Sequence, residues 1–336
     1  MNELISPVAS IEPAGPAYKD RSTGLMVFGI MTIVLGGLTG LMALLMLVMQ
    51  FAATKSVATS ASHLPGILMP MAMYGATSVA LIWLGVGSIK ARRWARALLL
   101  IFSWTTIVMG VFVLGMTLSV MPVILKNGSD QGHMETAAVI GIVTSMCLFA
   151  ALFLIVLPAV WVFFYNQRDV KATCEARDNV VRWTDACPLP VLALALWLVL
   201  SVPMFMMSPL MERRVVVPFF GIFLFGAVGV LFYLVNGVLW CWAAWLVYRV
   251  KSIGWWLILM GMIVFTVSGL VTSACHSPLE MYQLMGYSQE EIDQIKKTGL
   301  LTGGGWRWLT ALTPLLVVIY MLFIKRYFPA RRTETK

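Results

Sequence analysis

The feature that most constrains this chain is the spacing of its charged side chains. Eight intervals free of Asp, Glu, Lys and Arg each enclose a long apolar run: Leu25–Phe51, Leu68–Ile89, Ala97–Leu125, Ala138–Tyr165, Leu189–Leu210, Phe219–Tyr248, Trp255–Ala274 and Trp308–Ile324. A helix crosses a hydrocarbon layer about 30 Å thick with about 20 such residues. In hydrocarbon every backbone N–H and C=O needs a partner within the chain, so the runs are predicted to be helices. The strict alternation of a membrane barrel is absent. Composition agrees: 60% of residues are hydrophobic and 12% charged, against about 45–50% and about 25% in soluble domains. The predicted fold class is all-α, a polytopic transmembrane bundle of about eight helices, and soluble, disordered and disulfide-framework classes are excluded.

The net charge of +9 does not point to nucleic acid. The cations sit in short connections between apolar runs, where cytoplasmic Lys and Arg set orientation. With the N-terminus cytoplasmic, 17 cations fall on that side and 7 on the other, so both termini are expected in the cytoplasm. Arg213 and Arg214 are the local exception. The predicted location is an integral position in the bacterial inner membrane. The first residues carry Glu3, Glu12, Pro7, Pro13 and Pro16 without a basic start before an apolar core, which reads as a tail rather than a signal peptide.

The domain reading follows. Residues 1–23 are a disordered cytoplasmic tail, 24–168 a first four-helix half, 169–187 a cytoplasmic linker, 188–328 a second half with an outer loop at 275–307, and 329–336 a basic tail. The halves share a pattern at an offset of about 160 residues: Trp83-Leu84, a short basic turn and Trp94 in one; Trp245-Leu246, Arg249, Lys251 and Trp255-Trp256 in the other. Four spans per half make such a repeat parallel. Gly36 and Gly40 form a GxxxG that lets another helix approach closely. In the outer loop Ser288 and Glu291 have capping-box spacing, with Tyr287 and Ile292 at hydrophobic-staple positions. One short amphipathic helix is expected there.

No predicted span contains Asp, Glu, Lys, Arg or His. Coupled pumps and proton relays leave such groups in the membrane, because buried charge is expensive and kept for a use. Tyr233, Asn236, Gly237 and Trp240 share one face of the sixth span. Tyr233, Asn236 and Trp240 are therefore candidate lining for a small cavity, against the simpler reading of an interhelical hydrogen bond. Pro158, Pro203 and Pro314 fall within spans and can kink them. All three histidines lie on the predicted outside, among methionines and one thiol: His63, Met71, His133, Cys275 and His276 are weak candidates for a soft metal such as Cu(I). The run MPMAM at 69–73 resembles, over about ten residues, the Met-rich patches of extracytoplasmic copper proteins. Cys174, Cys187, Glu175, Asp178 and Asp185 share the linker without a known ligand spacing. The linker reads as a solvated segment, with Asp185 or Thr184 capping span five.

No nucleophile elbow, zinc-protease or phosphate-loop motif occurs, so no catalytic residue and no cofactor is assigned. The expected partners are the lipid bilayer and either another membrane protein or a second copy, not nucleic acid. The leading expectation is a non-enzymatic structural or interaction component of the membrane. The alternatives are a transporter or channel for a neutral or hydrophobic solute, and a membrane metal-binding protein or enzyme using the outer His/Met/Cys set.

Overall fold

A computed structural model of the chain describes residues 18–56, 64–130, 136–298 and 304–328. The C-terminal tail, most of the N-terminal tail, His63, His133 and Gly303 lie outside the described residues. The elements are α1 (Ser22–Ser56), α2 (Leu64–Ile89), α3 (Arg93–Asp130), α4 (Thr136–Ala150), a π-helical segment (Ala151–Val156), α5 (Leu157–Tyr165) and α6 (Arg168–Arg177). After a 3₁₀ turn (Trp183–Asp185) come α7 (Leu189–Met211), β1 (Val216–Phe219), β2 (Ile222–Phe225), α8 (Gly226–Tyr248), α9 (Ser252–Cys275), α10 (Pro278–Leu284), α11 (Gln289–Thr298) and α12 (Gly304–Ile324).

The chain is a polytopic helical membrane protein. Among the described residues seven helical stretches of 20 to 28 residues are apolar enough to span a bilayer, about 30–42 Å at 1.5 Å per residue. The eighth predicted span coincides with α12, 21 residues long. Lipid is the medium these helices are built for. Large apolar side chains stand outward along their length, from Leu41 and Met49 on α1 to Leu200 on α7 and Val238 on α8.

The start of α1 and the end of α12 lie on one face of the bundle. The Arg21 amide donates to Thr173 Oγ1, the Tyr248 hydroxyl to the Trp183 carbonyl, and the Tyr320 hydroxyl to the Pro190 carbonyl. We call this the terminal face and the other the hairpin face. Both hydrophobic cores sit toward the terminal face. One joins Leu25, Leu84, Leu99, Leu100, Trp161, Phe164 and Tyr165. The other joins Val191, Leu198, Trp240, Val247, Ile258, Met321 and Ile324, with Ile101 of α3 reaching into it.

Glycine sets the tightest contact. The expected close approach at Gly36 and Gly40 is to α2. A Cβ at Gly29 would meet the Gly85 carbonyl oxygen at 2.8 Å, and one at Gly85 the Gly29 oxygen at 2.7 Å. Ser78 Oγ donates to the Gly36 carbonyl at 2.7 Å. In the fourth span the π-helical segment precedes Pro158, whose missing N–H breaks the helical ladder. Gly110 of α3 receives the widened turn, since a Cβ there would lie 2.7 Å from the Leu154 carbonyl oxygen.

The α2–α3 and α8–α9 turns have the same form. Ala91 and Val250 are both left-handed, with φ of 49° and 54°. In each turn the next amide reaches back five residues, Arg92 N to Gly87 O at 2.9 Å and Lys251 N to Leu246 O at 3.0 Å. This is the Schellman closure of a helix C-terminus. Glycine lets the flanking helices close in both: Gly87 lies against Ala95, and Gly254 against Leu246. Burial follows the same register. Leu81, Leu84, Gly85, Ser88, Ala95 and Leu99 are buried, and so are Trp240, Ala243, Ala244, Val247, Gly254 and Ile258.

The structure corrects three expectations. The sixth span begins at Gly226, not Phe219, because residues 216–225 form a two-stranded antiparallel hairpin with Val216 opposite Phe225 and Phe219 opposite Ile222. Three consecutive valines favour a strand and Pro218 opposes a helix interior, but a short uninterrupted apolar run has no period that separates strand from helix. The outer loop holds two helices, α10 and α11, rather than one. The linker is ordered and part of it is buried: Asp178 is 1% exposed, because it binds the N-terminus of α3.

Candidate functional site

The charged side chains gather at the two faces. On the terminal face, α6 and the 3₁₀ turn lay the linker across the helix ends. Asp178 accepts from Arg92 Nη1 at 3.2 Å and from the Arg93 backbone amide at 3.3 Å. Its carboxylate thus caps α3, satisfying an N–H left open at a helix start. Arg182 lies 3.8 Å from the same carboxylate. Arg93 pairs with Glu175 and Asp185 at 3.7 and 3.8 Å. Asp185 accepts from the Arg182 amide at 3.1 Å and closes the 3₁₀ turn; Pro188, not Asp185 or Thr184, precedes the first turn of α7. Deeper in, Tyr165 Oη and Ser88 Oγ are 2.6 Å apart, and Arg96 Nε donates to the Tyr165 carbonyl at 2.9 Å. Burial pushes the Cys174 and Cys187 thiols up to about 11. They stay protonated at neutral pH, unlike the thiolate of a reactive cysteine.

On the hairpin face, Arg213 makes two parallel bonds to Glu291, 2.9 and 2.8 Å. Its guanidinium carbon lies 4.9 Å from the centre of the Tyr287 ring. The expected capping box is present: Ser288 N donates to Glu291 Oε2 at 2.8 Å and Glu291 N to Ser288 Oγ at 3.3 Å. The Arg213 bonds and the Ser288 amide together hold Glu291 down to about 2. Ile292 is fully buried beneath. The misplaced arginine of the charge pattern is thus a clasp between the end of α7 and α11.

The hairpin turn is held by one face of α9. Phe220 and Gly221 have φ of 47° and 80°, both left-handed as in the type I′ turns of two-residue hairpins. Ser268 Oγ accepts from the Phe220 amide at 2.9 Å, and Thr272 Oγ1 from the Gly221 amide at 3.1 Å. His276 Nε2 lies 2.9 Å from the Gly221 carbonyl oxygen, and its Nδ1 3.1 Å from Glu280. Two acceptors, one a carboxylate, favour the doubly protonated ring and raise its pKa above the ordinary 6.5. Ser268, Thr272 and His276 recur every four residues, so a single helix face satisfies the apolar turn's backbone.

The candidate residues of the sequence are distributed as follows. Tyr233 donates to Glu212 Oε1 at 2.8 Å, and Glu212 also accepts from the Val216 amide at 3.2 Å. Asn236 donates to the Phe232 carbonyl of its own helix at 2.8 Å. Trp240 is buried between Phe205 and Phe265, with ring centres 6.3 Å from each. Of the metal candidates, His63 and His133 are outside the described residues. Met71 is half-buried on α2, in the other half of the chain from Cys275 and His276. Cys275 is exposed beside Gly221, and both ring nitrogens of His276 are engaged. Among the described residues no three His, Cys, Asp or Glu side chains converge.

Sequence reasoning placed Asp178 in a solvated linker and passed over the roles of Glu212, Ser268 and Thr272. The last two left a readable signal, hydroxyls in register with His276 on a largely apolar helix. Asp178 left none, because its partner amide is 85 residues away in sequence. Compared with protein-family models, curated proteins and solved structures, the chain matches none of them.

Proposed function

We propose that the protein is a non-enzymatic structural or interaction component of the bacterial inner membrane. It is built from two parallel four-helix units with both ends in the cytoplasm. One observation carries this reading: carboxylates at both faces, from Asp169, Glu175, Asp178 and Asp185 to Glu212, Glu280 and Glu291, are paired with cations, with Tyr233 or with helix and hairpin backbone. Asp178, Arg213, His276 and Glu291 all close the bundle's ends rather than converge on a shared space. The duplication is supported by the two left-handed turns and their matched burial 159 residues apart. The orientation is supported by the charge pattern of the sequence, which puts 17 cations in the segments on the side of the termini and 7 in the others. Purification from native membranes in mild detergent should yield a stoichiometric membrane partner or a defined oligomer. Reconstituted vesicles should take up neutral solutes no faster than empty ones. A lone chain with saturable uptake would overturn the proposal.

That outcome would favour the second reading, a carrier or channel for a neutral or hydrophobic solute. A specific observation supports it too. The two cores lie toward the terminal face, while the π-helical segment, Pro203 and Pro209 interrupt spans four and five. Interrupted helices are how many carriers build a mid-membrane site.

A further inference from the structure

A groove of about 680 Å³ runs between α3 and α5 on the bundle's outer surface. That volume falls in the range of about 300–1,000 Å³ typical of small-molecule sites. Its walls are Trp104 and Ile107 from α3 and Ala159, Val162 and Phe163 from α5; its head is Asn166, Gln167 and Arg168, where α5 passes into α6. Trp104 and Phe163 are largely exposed, Phe163 at 76%, so the groove opens sideways into the bilayer. From Asn166 to Ala159 it descends about 10 Å, at 1.5 Å per residue. Nearly all of the walls are hydrocarbon or aromatic, and the polar atoms lie at the end that meets the terminal face. Arg168 differs from its neighbours there: Arg21, Arg92, Arg93, Arg177 and Arg182 each pair with a carboxylate, whereas Arg168 has no such pair among the described residues.

We propose that this groove binds one anionic phospholipid of the leaflet at the terminal face, with an acyl chain along Trp104, Ala159 and Phe163 and the phosphate on Arg168. Charge complementarity selects the occupant. A second helix would fill the apolar walls but leave the cation unanswered, and a zwitterionic headgroup brings its own cation beside Arg168. Asn166 and Gln167 supply further donors to phosphate or glycerol oxygens. The site needs only that the chain lies in a bilayer, so it stands whichever role the bundle has.

The test is native mass spectrometry of the full chain in mild detergent, titrated with phosphatidylglycerol or phosphatidylcholine. One phosphatidylglycerol should bind in preference to phosphatidylcholine. Arg168→Gln should weaken it about fivefold, the effect of one cation near a membrane surface. Ala159→Phe, which fills the groove, should reduce binding of either lipid. Lys171→Gln removes a cation one turn away that pairs with Glu175 and does not line the groove, so it should bind as wild type. Glycerol 3-phosphate, headgroup chemistry without chains, should not compete. Each variant is first checked for wild-type melting. The proposal is overturned by equal binding of the two lipids, by loss in Lys171→Gln equal to that in Arg168→Gln, by competition from glycerol 3-phosphate, or by a dimer that Ala159→Phe abolishes.

Discussion

Replacing Asp178 with alanine removes a carboxylate buried in the terminal-face network. Two contributions set the size of the effect. The capping bond to the Arg93 amide, 3.3 Å long, is worth about 1 kcal/mol, the usual loss when a helix N-cap is removed. The bond to Arg92, 3.2 Å long, joins two charged groups, and such bonds contribute about 1.5–3 kcal/mol. Arg92 and Arg182 are 39% and 37% exposed. Without Asp178 they recover water rather than stay stranded, so the penalty for a fully buried orphan charge does not apply. The total is about 2.5–4 kcal/mol, and a cycle with Arg92→Ala should return a coupling of about 1.5–3 kcal/mol. Thermal melting in detergent, followed by tryptophan fluorescence, measures the loss; limited proteolysis at the terminal face should show 169–187 cleaved sooner. Asp169→Ala is the control. Its pair with Arg21 is 3.8 Å long and 39% and 37% exposed, and an exposed pair of that kind is worth about 0–1 kcal/mol. Equal melting of Asp178→Ala and Asp169→Ala would refute the reading of Asp178 as a buried cap.

Gly85→Ala should destabilise by about 1–3 kcal/mol through overpacking, because the obstacle is the Gly29 carbonyl oxygen and backbone cannot step aside; Gly37→Ala, which meets nothing within 4 Å, should melt as wild type. Ala91→Gly and Val250→Gly should each raise the melting temperature, by relief of about 1–2 kcal/mol of left-handed strain, and a gain at only one site would break the equivalence of the two turns. The hairpin face should respond to pH at both ends: Glu291, held at about 2 against an ordinary 4.5, gives stability present above pH 4.5 and lost as the pH falls toward 2, measured as faster amide exchange in α11. His276, raised above 6.5, gives stability present below pH 6.5 and lost as the pH rises through its folded value, measured as exchange at the Phe220 and Gly221 amides and removed by His276→Ala.

The spans were legible because hydrocarbon imposes one rule on every residue within it. A long stretch without charge must be helical, and seven stretches obey that rule among the described residues. The Ser288–Glu291 box and the Gly36–Gly40 approach were legible because capping and close packing depend on residues three or four apart. The hairpin was not. In residues 215–225 there is no polar side chain, so the run offers no contrast between faces. What stabilises its turn is a set of side chains about 50 residues away on α9. The linker failed for the opposite reason. Its charges suggested solvent, yet Asp178 is buried by a helix start that sequence distance hides.

The two pH responses bear on how the faces divide the work of holding the bundle. At the terminal face the apolar cores lie directly beneath the ion pairs, so Asp178 and Arg96 act on helices already packed against one another. At the hairpin face less is buried, and the fixed points are polar: the Arg213–Glu291 clasp, the Glu212–Tyr233 bond and the α9 stripe under the turn. Apolar burial does not titrate, whereas a carboxylate clasp and an imidazolium latch do. The acid-sensitive clasp and the base-sensitive latch are both at full strength only between pH 4.5 and 6.5. Changes of pH should therefore loosen α11 and the hairpin individually while the terminal-face helices keep their exchange protection. Uniform loss of protection along α3, α5 and α9 at either limit would mean that the two faces form one cooperative unit.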